Sequence, residues 1–259
     1  MISRIITIAL HTCKESVREK VLYNLIGFAL LLMAAAVLFG SISLGVDQII
    51  LINLGLSAIS VFGLLIAIFI GIGLVSKEIE RRTIYNILSK PVARPEFIIG
   101  KYCGLLLTLT INAAVMTAGF YVALFYVQRR LAGPDWIGLQ CVYFILLQLS
   151  IVIGVALLFS CVTTPILSAT FTFCVYVIGN FLSDIRWFGQ ESGNTSLLKL
   201  TSVIYYLLPN FSDFQTISQT AHGVAVPPHL VTANTLYALL YVTILICASV
   251  LIFEAKEFR

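Results

Sequence analysis

Charge is what this chain has least of. Asp, Glu, Lys and Arg make up 11 % of the residues, against about 25 % in a soluble domain. Hydrophobic residues reach 59 % and the mean hydropathy is +1.01. A soluble globular domain is excluded, and the composition is that of a polytopic all-α membrane protein. No long apolar run carries Asp, Glu, Lys, Arg or His near its centre. That argues against ion-coupled transport and intramembrane proteolysis, which need such groups for proton relays or catalysis. A phosphate-binding loop is also missing. Gly100-Lys101 comes nearest, but Pro95 stands where the first glycine belongs and Tyr102 where Ser or Thr belongs. The chain is therefore expected to bind no cofactor, and any driven process must draw its energy from another chain. Cys13, Cys103, Cys141, Cys161, Cys174 and Cys247 form no CxxC pair and read as small apolar fillers. The net charge of +4 is informative through its distribution and is no nucleic-acid footprint.

The apolar runs order the chain into one membrane domain over residues 1–259. Residues 1–20 place Ile2, Ile5, Ile6, Ala9, Cys13 and Val17 on one helical face, with Arg4, Lys14, Arg18 and Lys20 largely off it. This is an interfacial amphipathic helix. It is too long for a signal-peptide n-region, and the run after it too long for an h-region, so no cleavage is expected. Spans are expected at Val21–Val46, Ile49–Ser76 and Tyr102–Val127. The second carries Gly63, Ala67 and Gly71 at four-residue spacing, a face for close helix packing inside the chain or with a second copy. Leu139–Ser183 is too long for one crossing and breaks at Thr163-Thr164-Pro165 into two spans. Residues 184–231 form a loop, whose stretch Val203–Phe211 is too short to span and reads as an interfacial or re-entrant helix stopped by Pro209. Thr232–Phe253 is the sixth span.

Six spans put both termini on one side. That side collects Arg4, Lys14, Arg18, Lys20, Lys77, Arg81, Arg82, Lys90, Arg94, Lys101, Lys256 and Arg259, while the other has Arg129, Arg130, Arg186 and Lys199. The positive-inside rule places the termini and the 77–101 segment in the cytosol and residues 184–231 outside, in a multi-pass protein of the cytoplasmic membrane.

The segment 77–101, KEIERRTIYNILSKPVARPEFIIGK, is the densest cluster of charge. Ile79, Ile84, Ile87 and Leu88 recur at helix-like spacing, Pro91 and Pro95 break the pattern, and Glu96 follows in the first turn of a new helix. A topological signal needs positive charge alone; an apolar stripe with a defined stop is in addition an insert for a groove on another protein. Glu78, Arg82-Thr83, Ile87-Leu88-Ser89-Lys90-Pro91, Arg94, Phe97 and Gly100-Lys101 resemble the loop between the first two hairpins of ABC-2 type transporter permeases. Arg82, where many members have Gly, is closer to the small permeases similar to the nitrous-oxide-reductase maturation permease. The resemblance implies a coupling helix within residues 77–96, seated in a cleft of an ABC ATPase, with Glu78, Arg82, Thr83, Ile84, Ile87, Leu88, Ser89, Pro91 and Arg94 as docking residues. It implies two ATPase subunits holding ATP and Mg, a second copy of the permease, and a seam at spans one and five. Export is the favoured direction, and the arrangement leaves room for an extracytoplasmic accessory protein. A non-transporting scaffold that docks a cytosolic partner is the competing reading.

Asn53, Asn112, Gln148 and Asn180 are the larger polar groups inside the spans. They are expected to make interhelical hydrogen bonds, with lining of a substrate path as the alternative. His222 and His229, with Asp213 and Glu191, match no metal-ligand spacing and read as solvated loop residues.

Overall fold

The computed structural model describes residues 2–42, 47–80, 94–128, 136–191, 193 and 195–255. Among these the regular elements are all helical. They are α1 (Ile2–Val17), α2 (Lys20–Ile42), α3 (Asp47–Glu80), α4 (Arg94–Gln128), α5 (Trp136–Val162), α6 (Pro165–Asn180), α7 (Leu182–Glu191), α8 (Thr195–Leu207), α9 (Ile217–Ala221) and α10 (Pro228–Ala255), with a single 3-10 turn at Ser212–Phe214. The stretches Gln48–Gly71, Pro95–Val127, Trp136–Val162 and Pro228–Ala255 are each long and apolar enough to cross a bilayer. Two bent pairs raise the count to as many as six: Ser3–Val17 with Leu22–Leu38, bent by 64°, and Pro165–Asn180 with Leu182–Glu191, bent by 55°. The fold is that of an all-α membrane protein.

Helix α5 is the axis of the bundle. It packs against α3, α4, α6 and α10, and every residue from Gln148 to Leu157 is buried. The outer helices invert the pattern of a soluble protein. In α6 the buried residues are Ser168, Thr172 and Gly179, whereas Ile166, Leu167, Phe171, Phe173, Val177 and Ile178 are exposed. Hydrocarbon solvates a large apolar side chain as well as a core does, but it offers a hydroxyl no partner. Two of the three Ser and Thr hydroxyls of α6 turn inward, where Ser168 Oγ donates to the Ala156 carbonyl of α5 at 3.2 Å and Thr172 Oγ1 to the Ser168 carbonyl at 2.7 Å, while the exposed Thr170 donates to the Ile166 carbonyl of its own helix at 3.0 Å.

Small residues set where helices close on one another. The Gly63–Ala67–Gly71 face of α3 meets α5 within the same chain. A Cβ built at Gly63 would lie 2.6 Å from Leu149 Cδ1, and one at Gly71 2.9 Å from Ala156 Cβ. A second such seat lies on α4, where Gly100 and Gly104 receive α1. A Cβ at Gly104 would stand 2.6 Å from the Ala9 carbonyl oxygen and 2.6 Å from Thr12 Cβ. The single apolar face expected of α1 is thereby divided. Thr12, Cys13 and Ser16 are buried, with Ile5, Ile8 and Ala9 half-buried beside them, while Ile6 and Leu10 stay exposed next to the charged side. The helix thus has a seat, an apolar flank and a polar flank, which suits an apolar–aqueous boundary.

Several boundaries follow the expected breakers. Helix α5 ends at Val162 and α6 begins at Pro165, with Thr164 extended at φ −71°, ψ 160°. Proline at the first helical position has no N–H to lose. Helix α8 stops at Leu207, two residues before Pro209. Other boundaries differ. The span expected to open at Tyr102 is part of a helix that begins at Arg94 and carries Glu96 and Lys101 into the protein. Both charges are engaged there. Arg4 Nη1 lies 3.8 Å from Glu96 Oε2, and Lys101 Nζ sits 5.6 Å from the centre of the Phe97 ring, which stacks on Phe253. Helix α3 likewise runs past Ser76 through Lys77 to Glu80. The short helix expected from Ile79 starts inside α3, and the rest of it lies outside the described residues. The helix expected at Val203–Phe211 is the end of a longer one, α8, that starts at Thr195, and a further helix, α7, occupies Leu182–Glu191 at the start of the expected loop. Gly189 allows their close crossing at Thr201, and the Arg186 guanidinium lies 4.4 Å from the centre of the Tyr205 ring.

Candidate functional site

Of the residues expected to dock an ATPase, Glu78 lies in the last turns of α3 and Arg94 is the first residue of α4. Arg82, Thr83, Ile84, Ile87, Leu88, Ser89 and Pro91 lie outside the described residues. What is described is their frame. Helix α3 has 34 residues, about 51 Å at 1.5 Å per residue. A hydrocarbon core of about 30 Å cannot hold that length, so the charged last turn of α3, Lys77–Glu80, projects beyond it. Helices α3 and α4 pack on each other and both pack on α5. The two ends of the 81–93 connection are thus held by stiff rods that reach the centre of the bundle.

At the other end of the bundle lies a cavity of about 320 Å³ between α3, α5, α6 and the 208–221 segment. Asn53 and Ser60 of α3 line one wall, Gln148 and Asn180 the opposite one, and Gln215 and Ser218 the top. Tyr176 and Phe214 add aromatic surface. Asn180, the last residue of α6, organises the polar wall. Its Oδ1 accepts from Gln148 Nε2 at 3.1 Å and from Gln215 Nε2 at 2.8 Å, while its Nδ2 donates to the Tyr176 carbonyl at 2.7 Å. Its backbone carbonyl accepts from Ser212 Oγ at 3.1 Å. Among the described residues, Asn53 and Ser60 have no hydrogen-bond partner across this space.

The segment over the cavity is clamped by side chain–backbone bonds. The Asn210 N–H donates to the Tyr237 hydroxyl at 2.9 Å, and Tyr241 donates to the Leu207 carbonyl at 3.0 Å. Beyond that segment, Gln140 grips Val226 from both sides: its Nε2 donates to the Val226 carbonyl at 2.8 Å and its Oε1 accepts from the Val226 N–H at 3.2 Å. Asn210 Nδ2 donates to Asp213 Oδ2 at 2.9 Å, and partial desolvation pushes the Asp213 carboxyl above the usual carboxylate range.

Of the four polar residues picked out in the spans, three share this cavity: Asn53, Gln148 and Asn180. The expected interhelical bond joins Gln148 to Asn180, whereas Asn112 donates to Thr108 of its own helix at 2.8 Å. Ser60, Tyr176, Gln215 and Ser218 carried no signal of their own, since Ser and Tyr in apolar helices are commonplace and the last two sit in a mixed segment. His222 and His229 are exposed, and no three His, Cys, Asp or Glu side chains converge among the described residues.

A family model described as ABC-2 family transporter protein matches residues 6–258. The chain belongs to the ABC-2 transporter family. No curated protein matches it significantly. The match runs from α1 to the end of α10, so the seated N-terminal helix and the segment over the cavity are both parts of the ABC-2 domain. Membership makes the chain a multi-pass membrane protein and the permease component of an ATP-binding-cassette transporter. In the ABC-2 chain the charged connection at one end and the neutral polar cavity at the other are joined by the same helix, α3.

Proposed function

We propose that this permease moves its cargo across the cytoplasmic membrane by ATP hydrolysis in a separate ATPase subunit, which holds the ATP and Mg. The observation that carries the reading is the frame of the 81–93 connection. It springs from two long helices that pack on each other and on the buried α5. A partner pressing there would move rods that pass through the whole protein, since close-packed helices transmit displacement rather than absorb it. Glu78, Arg82, Thr83, Ile84, Ile87, Leu88, Ser89, Pro91 and Arg94 form the docking element, with both termini on the same cytosolic side. An ATPase that works as a dimer offers two clefts, so two copies of this chain complete the unit.

Replacing Ile84 and Leu88 by Asp puts two charges into an apolar docking face. The expected result is loss of co-purification with the ATPase from a strain expressing both, with membrane insertion intact. Unchanged co-purification would refute the docking element. A scaffold would hold its partner without turnover, so ATP hydrolysis stimulated by cargo separates the two readings.

A further inference from the structure

We propose that the cavity between α3, α5 and α6 is a binding site for a neutral, hydrogen-bonding group about one sugar ring in size, presented either as sugar hydroxyls or as a peptide amide. That the bound group is cargo rests on the transport reading above; the binding itself does not.

The chemistry of the walls selects the class. Among the described residues the lining is made of amides, hydroxyls, aromatic rings and isoleucine, with no Asp, Glu, Lys, Arg or His. An ion entering would lose hydration and meet no opposite charge, a heavy cost in an apolar bundle. A purely apolar solute would strip water from Asn53 and Ser60 and leave them without partners. A neutral group with several donors and acceptors avoids both costs. Side-chain amides suit it because each donates and accepts at once.

The site is also pre-arranged. Asn180 is held on both sides of its amide and through its backbone carbonyl, and it fixes Gln148 and Gln215 in turn. The free groups, Asn53 and Ser60, are seven residues apart on α3 and so lie on one face two turns apart. One wall is thus a fixed network and the facing wall a pair of open hydrogen-bonding groups. A volume near 320 Å³ falls at the lower end of small-molecule sites, which run from about 300 to 1,000 Å³. Tyr176 and Phe214 offer ring faces for the apolar side of such a group.

Saturation-transfer NMR on the full chain in lipid nanodiscs, without any ATPase, tests this with glucose, N-acetylglucosamine, N-acetylglycinamide and gluconate. Transfer to at least one neutral probe and none to gluconate is expected. Transfer to glucose alone assigns the hydroxyl form, and to N-acetylglycinamide alone the amide form. Asn53→Leu should weaken binding at least tenfold. Ser218→Tyr, at an exposed position of α9, should close the cavity from its rim while leaving the thermal unfolding midpoint unchanged. Transfer to gluconate equal to that for glucose, transfer to no neutral probe, or neutral-probe signals untouched by both substitutions would overturn the site. Because no ATPase is present, a negative result leaves the Ile84/Leu88 docking test standing, and failure of that test leaves this one standing.

Discussion

Replacing glycine by alanine at three positions adds the same methyl group against three different walls. At Gly27 of α2 nothing lies within 4 Å of the new Cβ. At Gly63 the nearest atom is Leu149 Cδ1 at 2.6 Å, the tip of a side chain that can rotate away. At Gly104 it is the Ala9 carbonyl oxygen at 2.6 Å, which moves only if α1 moves. Ordinary contact needs about 0.8 Å more than Gly104 allows. Any gain in helix propensity is common to the three changes and cancels in the comparison. What remains at Gly104 is overpacking, about 1–3 kcal/mol, or about 2–12 °C in Tm at 2–4 °C per kcal/mol. The order of Tm should therefore be Gly27→Ala, then Gly63→Ala, then Gly104→Ala. Cys13 supplies a local reading, because it is 8 % exposed beside the α1–α4 seam. In a background whose other five cysteines are replaced, a fluorogenic maleimide should label Cys13 faster in Gly104→Ala than in Gly27→Ala. Equal melting temperatures for the three variants together with equal Cys13 labelling would refute the seat.

Three further outcomes are expected. Asp213 has its carboxyl raised by desolvation, so the folded state favours the protonated form; this contribution is full below the ordinary carboxylate pKa and is lost as pH rises through the raised value. Melting curves from pH 3 to 7 should show wild type losing stability relative to Asp213→Asn over that window, and parallel pH profiles would contradict the assignment. Single cysteines at Ser192 and His222, in a background without native cysteines, should react with an impermeant reagent from outside intact cells; labelling only after permeabilisation would reverse the proposed orientation. Native mass spectrometry of the solubilised transporter should find two permeases with two ATPase subunits, and one permease on two ATPase subunits would rule out the dimer.

Breakers and charge were readable in the sequence, whereas facing was not. Thr163-Thr164-Pro165 and Pro209 gave their helix ends because the chemistry of proline is local. The new helix with Glu96 in its first turn was legible, but its continuity with the span from Tyr102 was not, because in sequence Glu96 and Lys101 look like loop charges and their burial depends on Arg4 and Phe97. Gly100 and Gly104 stood at four-residue spacing, yet the seat they form is visible only once α1 lies in it. The cavity was hidden for a deeper reason. A helix in a bilayer is apolar toward lipid and toward protein alike, so its sequence carries little phase information. Asn53, Gln148 and Asn180 were evident as polar residues, but nothing in their spacing said that they face one another.

Helix α6 has 16 residues, about 24 Å of rise, against a hydrocarbon thickness of about 30 Å. The bend at Phe181 then turns the chain aside by 55°, with Trp187 and Phe188 exposed on α7. The wall of the bundle that α6 forms is therefore shorter than the bilayer it faces, while α5 beside it is long enough at 27 residues. Lipid next to α6 must thin, or α7 must sink into the acyl region, at a cost of fractions of a kcal/mol for each ångström of mismatch. Acyl-chain length thereby becomes a force on the α6–α7 bend, and Asn180, the hub of the polar cavity, is the residue that sits at that bend.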